Sequence, residues 1–296
     1  MKSFLYYWIL PFVVAIICAA AICSFVNSRL FTLGNEAMYP SASSGDIVYT
    51  KKAENIKVGD FLLIDNPLDK KHSVPRKSLQ RCVALSGDKI QIFSKRLYIN
   101  DVLQNSDYCS FDTKILLLND GELDAANKLY KLFPDDGELV NTVLVVPEKL
   151  RQRIVSDSVL HHVDISVVPP YMADRKLFPY SRYFNWNKDF YGPVVVPAKG
   201  MKIKLDVANY VFYKYIFDNS EKCDVQYHDG QFIVDGKPAQ TYTFRHNYYF
   251  LLNDYRDDPS DSRTFGPVCE DDIRAKATTF VLRHNDGKKE FFVPVD

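Results

Sequence analysis

Between Asp46 and Asn100 the chain repeats one short pattern: DIVYT, DFLLID, RCVAL, KIQIF and RLYIN, with Gly-Asp or Asn-Asp punctuation between the runs. Val, Ile, Leu and Tyr recurring at every second position line one face of a strand, and Gly-Asp supplies a tight reversal. The pattern predicts antiparallel sheet. It returns around Trp186 with FYGPVVVPAKGMKIKL and again from YYFLLND to FFVPV. Between these stretches the character changes: KILLLND is followed by ELDAANKLYKLF, NTVLVV by PEKLRQRIVSD and then VDISVV. Apolar positions in the middle segments fall at helical spacing, and Pro147 suits a first helical turn. An α/β insertion over residues 108–190 is predicted. One more helix, DVANYVFYKYIFDN, has Asp206 placed as its N-cap. The chain contains no internal repeat.

The amino terminus is of another kind. FLYYWILPFVVAIICAAAICSFV, from Phe4 to Val26, carries no charge, and about 23 residues at ~1.5 Å each span the ~30 Å of a hydrocarbon core. Pro11 kinks such a helix without excluding it. A cleaved secretory signal has a shorter apolar core, although Ala19-Ala20-Ala21 offers small residues before a cut; a lipoprotein cut before Cys23 is opposed by Ile22. The expected topology is a cytoplasmic tail over residues 1–3, an uncleaved anchor over 4–26 and an external domain, with Lys2 and Arg29 giving a weak charge asymmetry.

Composition narrows the partners. Lys plus Arg and Asp plus Glu are 37 each, so there is no basic field for nucleic acid. At 296 residues and 47% apolar content the chain buries a full core and is not disordered. The six cysteines show no Cys-x-x-Cys spacing, and adjacent His161 and His162 diverge on a strand, so neither a metal nor a cofactor is expected. The aromatic residues concentrated at Tyr180–Tyr191 and Tyr242–Phe250 are read as core, with a peptide groove or membrane interface as the alternative.

Four stretches, in order behind the apolar run, resemble bacterial signal peptidase I, the membrane-anchored Ser-Lys endopeptidase family. AMYPSASSGDIVY is similar to its Ser-Met-x-Pro-Thr-Leu-x-x-Gly-Asp, VGDFLLI to its Gly-Asp strand, and QRCVALSGDKIQI with RLYIN to its Lys-Arg-x-Val-Gly-Leu-Pro-Gly-Asp and Tyr-x-Asn. NDYRDDPSDSRTFGPV is similar to Gly-Asp-Asn-Arg-Asp-Asn-Ser-x-Asp-Ser-Arg-x-x-Gly. The resemblance implies a mainly β, signal-peptidase/LexA-like antiparallel fold over residues 27–107 and 191–296, interrupted by the insertion.

Carried over position by position, the resemblance puts the family's nucleophile on Ala37, its general base on Gln80 and the serine supporting that base on Pro259. A methyl group does not attack a carbonyl and a neutral amide does not accept a proton. The oxyanion-hole serine becomes Asn35, whose amide is expected to donate. Met38 and Pro40 are expected to flank a peptide groove, with the Ala37 methyl facing the open cleft. Asp261 and Arg263 match the family's ion pair beneath the site, and Asp254, Arg256, Asp257 and Gly266 keep their places in the same loop. A displaced pair drawn from Ser41, Ser43 or Ser44 with Lys77 is the enzymatic alternative, although a three-residue offset on a strand turns Lys77 away from the face of Gln80. Loss of nucleophile or base costs a serine protease on the order of a million-fold.

The expected protein is a single-pass inner-membrane pseudopeptidase with its domain in the periplasm or outside the cell. Its partners are an extended, signal-peptide-like segment or another membrane or secretion protein. Peptide is expected as an added strand beside the strand that follows the nucleophile position, pairing that needs no catalytic group. The remaining alternative is a structural subunit docking through the insertion.

Overall fold

The computed structural model describes residues 13–15, 29–67, 77–116, 142–156, 160, 162–285 and 287–295. The first half contains strands β1 (Leu30–Thr32), β2 (Ile47–Lys51), β3 (Phe61–Asp65), β4 (Lys77–Ala84), β5 (Lys89–Phe93), β6 (Arg96–Ile99), β7 (Val102–Leu103) and β8 (Ser110–Leu116). Next come β9 (Thr142–Pro147), helix α1 (Glu148–Ser156), β10 (His162–Ile165), β11 (Phe190–Val195), β12 (Lys202–Lys204) and helix α2 (Val207–Ile216). The chain closes with β13 (Val225–His228), β14 (Gln231–Val234), β15 (Lys237–Pro238), β16 (Thr241–Thr243), β17 (Tyr248–Leu252), the short α3 (Ser262–Phe265), β18 (Val268–Cys269), β19 (Ile273–Asn285), β20 (Lys288–Glu290) and β21 (Val293–Pro294). The fold is mainly β and its strand ladders are antiparallel, as the Gly-Asp punctuation predicts.

The main sheet has the order β1-β2-β19-β3-β4-β17-β18, with β20 and β21 also on β19. At 13 residues, β19 reaches β2 along one edge and β3, β21 and β20 along the other. Register shifts between Ala277 and Thr279 and between Phe280 and Leu282 interrupt its pairing, and such irregularities bend and twist a strand. The sheet therefore curls, and β1 comes to face the start of β4 although three strands separate them in the order. A second sheet, β11-β5-β6-β7, covers an aromatic core that includes Phe178, Tyr191, Phe212, Phe217, Phe244 and Phe250. Helix α2 packs into that core with Phe212, Tyr213 and Ile216 buried. Asp206 caps it as expected, its carboxylate accepting from the Asn209 N–H.

Within residues 108–190, strands β10-β8-β9 form a small sheet that shares its own apolar cluster, Ile115, Val146, Ile154 and Leu160, with α1 and the segment ahead of β10. Helix α1 starts directly after Pro147, which closes β9 rather than standing in the first helical turn. From Ser166 to Asp189 the chain is irregular, and Leu177 and Phe178 enter the main core. The predicted helix ELDAANKLYKLF lies outside the described residues. So does the apolar run 4–26, save residues 13–15; among the described residues no helix is long and apolar enough to cross a membrane.

Candidate functional site

The turn between β1 and β2 presents Asn35, Ala37 and Met38. It is closed by Leu33 N–H on the Asp46 carbonyl (2.9 Å) and Gly45 N–H on the Leu33 carbonyl (2.9 Å). The buried Asp46 carboxylate fixes the turn from within, accepting from the backbone N–H of Ser43 at 2.9 Å and of His284 at 2.7 Å. Gly45 holds a left-handed φ of 88° there, which glycine adopts without strain. Met38 is buried against Leu33, Val48, Phe61 and Leu79. Ala37 does not stand open to the cleft: it is 8% exposed, and its carbonyl accepts from the Tyr255 N–H at 3.0 Å.

The Asn35 side-chain oxygen accepts from the Ala37 N–H at 3.3 Å. The backbone donor that an oxyanion would need is already engaged. A short polar residue two positions before an N–H commonly makes this local bond.

Gln80 is buried on β4. Its Nε2 donates to the Ser260 carbonyl at 2.8 Å, tying β4 to the loop that carries Pro259, while its Oε1 is buried without a partner among the described residues. Two residues earlier on the same strand face, the Ser78 hydroxyl is also buried without one. Pro259 contributes only its carbonyl, which accepts from Asp261 N–H at 2.7 Å and from the Thr264 hydroxyl. The three positions bring together a methyl, an amide and an imino acid, with no proton acceptor suited to activate a nucleophile.

Ser41 and Lys77 do not form a substitute pair. The Ser41 hydroxyl accepts from Arg81 Nη2 at 3.1 Å and donates to the Tyr108 carbonyl at 3.4 Å. Ser44 engages Glu36 through its backbone N–H. Lys77 is exposed and helps to line the groove described below; among the described residues no hydrogen bond joins it to Ser41, Ser43 or Ser44.

Beneath the centre lies a buried ionic network. Arg263, 1% exposed, makes a salt bridge with Asp261 at 2.7 Å and donates to the carbonyls of Arg256 (2.7 Å), Asp258 (2.7 Å) and Lys188 (3.2 Å). Asp254 takes Arg81 on both carboxylate oxygens, and that guanidinium is sandwiched between Phe61 at 4.4 Å and Tyr108 at 4.2 Å. Arg256 turns instead to Cys109, its Nε at 3.1 Å from the sulfur. Burial pushes the Cys109 thiol pKa up against the pull of that cation. Asp257 is shared by Lys95 and Lys188; burial opposes its charge, but the two ammonium groups outweigh burial and lower its pKa. Burial lowers the pKa of Lys95, against the pull of Asp257 and Asp189. The small sheet is stitched to this loop: Ser110 N–H donates to the Asp254 carbonyl, Arg256 N–H to the Ser110 carbonyl (both 3.0 Å), and Asp112 N–H to Asp257 at 2.7 Å.

A groove of about 340 Å³ opens beside the centre, lined by Phe31, Thr32, Leu33, Gly34, Asn35 and Met38 on one wall and by Lys77, Ser78 and Leu79 on the other. Met38 belongs to it as expected; Pro40 does not line it. Strand β2 is paired on both edges, with β1 and with β19, so no peptide can add to it. Among the described residues, the unpaired edges are those of β1 and of the first residues of β4, whose pairing with β17 begins only at Arg81. Sequence reading overlooked Ser78, Gly34 and Lys95; for Ser78 the available signal was its i, i+2 spacing to Gln80 on a strand.

Two comparisons bear on this arrangement. The family model described as signal peptidase, peptidase S26, matches residues 5–147 and 215–282. A search of curated proteins finds no match.

Proposed function

The chain belongs to the signal peptidase family, peptidase S26, and from that premise we propose that it is a noncatalytic member that holds an extended peptide or a partner protein without cutting it. The observation that carries this reading is the state of the centre. Ala37 brings a methyl and an engaged N–H, Gln80 brings an anchored amide, and neither can attack a carbonyl or take a proton. The groove beside them keeps what strand addition requires: among the described residues, two unpaired strand edges facing each other, and on one wall Ser78, whose buried hydroxyl has no partner there. Backbone hydrogen bonds to an inserted strand contribute about 0.5–1.5 kcal/mol each, and several suffice for a reversible complex.

Signal peptidases of this family are membrane-associated. In this reading residues 4–26 anchor the chain with residues 1–3 in the cytoplasm, residues 27–107 and 191–296 form the external peptidase-like domain, and residues 108–190 are its insertion. The bound segment is signal-peptide-like, presented at the outer face of the inner membrane.

Gly34 gives the sharpest test. It lines the groove, a Cβ built there meets nothing within 4 Å, and its backbone is ordinary, so Gly34→Trp fills the groove without disturbing the turn. Ala37, being buried, is the poorer position for such a probe. Binding of a fluorescent signal-peptide segment to the full chain in detergent should be saturable and should be lost in Gly34→Trp at unchanged melting temperature. A parent that binds no peptide, or a variant that binds as well as the parent, removes the groove from the account. A structural subunit acting through the insertion then replaces it.

A further inference from the structure

On the far side of the main sheet the ladder pairs Tyr248 with Cys269. This brings the loop before β17 against the turn after β18, and His246 against Cys269 and Asp271. Their ligand atoms all lie within 4.8 Å of one another. His246 Nδ1 is 3.4 Å from Asp271 Oδ2 and 3.9 Å from Glu270 Oε1. Metal–ligand bonds of ~2.0–2.3 Å at tetrahedral angles set neighbouring donors about 3.3–3.8 Å apart, so two of these separations already stand near that length.

We propose that His246, Cys269 and Asp271, with Glu270 as the nearest fourth donor, form a binding site for a divalent metal ion of the zinc class. The donor set selects the metal: thiolate and imidazole favour zinc or cobalt over magnesium or calcium, which prefer all-oxygen ligands. The supporting shell is also present. Glu270 is oriented by the N–H and side-chain amide of Asn247 at 3.0 and 3.2 Å. Cys269 is free of any disulfide and 2% exposed. On binding, the metal takes the place of the Cys269 thiol proton, which is released to solvent, and no redox step is involved. Sequence spacing gave no metal motif because the fold, not the order of residues, brings His246 to Cys269. The site would clip the start of β17 to the β18 turn, away from the peptide groove.

The test is a titration of the reduced, metal-stripped full chain in detergent with cobalt(II), followed by competition with zinc(II). The expected result is a near-ultraviolet thiolate-to-cobalt band with tetrahedral visible bands, abolished by zinc, absent in Cys269→Ser and retained in Cys223→Ser. His246→Gln, a change at a half-buried ring that tests the site should Cys269→Ser fail to fold, should weaken cobalt binding at least about 100-fold, beyond the ~10–100-fold typical of outer-shell changes. A folded parent without the charge-transfer band, a band that survives in Cys269→Ser, or unchanged affinity in His246→Gln overturns the proposal.

Discussion

The loop from Asn253 to Arg263 and the centre above it share one scaffold but differ in how their polar groups are satisfied. In the loop, Asp254, Asp257 and Asp261 are each buried and each paired with a cation, and Arg263 also binds three backbone carbonyls. At the three positions Ala37, Gln80 and Pro259 no side chain is charged, one N–H is engaged locally by Asn35, and among the described residues two polar atoms of β4 have no partner. Breaking a buried pair is costly, whereas a substitution among neutral side chains costs less.

Breaking the loop should have the largest effect. Asp261→Ala leaves Arg263 buried without its carboxylate and also frees the N–H groups of Asn253 and Arg263. Loss of one partner from such a pair costs about 3–5 kcal/mol, a fall in melting temperature on the order of 10 °C. An unchanged melting curve would mean that the network does not stabilise the fold.

Acid should act through the same loop. Because Lys95 and Lys188 hold the Asp257 pKa below its ordinary value, the folded state binds the proton less readily than the unfolded chain. The contribution is therefore present above the unfolded carboxylate value of ~3.9 and is lost as pH falls through the lower, folded value. Lys95 works in the opposite range: its lowered pKa means that keeping it charged costs stability, and this cost is relieved as pH rises toward its unfolded value of ~10.4. Unfolding midpoints followed from pH 7 downward should drop at the acid end, and Asp257→Asn should be less stable at pH 7 and flatter in acid. An identical acid slope in both proteins would break the assignment.

The centre should respond weakly. Ser41→Ala removes an acceptor of Arg81 and should cost about 1 kcal/mol without altering any activity. Lys77→Ala, at an exposed position, should change stability by less than ~0.5 kcal/mol, and peptide binding would show whether its ammonium at the groove wall contributes. A loss of peptidase activity in either variant would reinstate the displaced pair.

Much of this was legible in the chain. The alternating runs and Gly-Asp turns announced the sheets because their period and reversals are local, and Asp206 and Pro147 marked two helix starts for the same reason. The Met38–Gly45–Asp46 spacing located the centre. What the sequence hid depends on contacts between distant segments. That β2 is filled on both edges follows from the long β19, near the carboxyl terminus. The Asn35 oxygen turns inward because of the Ala37 N–H, and its residue type alone allows either orientation. The pairing of Lys95 with Asp257 joins positions that no local pattern connects.

The central claim is that the protein holds without cutting, and the direct measurement is proteolysis of a preprotein by the full chain in detergent, read by the appearance of the mature product. The parent should leave the preprotein intact, and so should Ala37→Ser, because Gln80 takes no proton and the residue 37 N–H is bound by Asn35. Accumulation of mature product with the parent, abolished by Ser41→Ala or Lys77→Ala, would contradict the account.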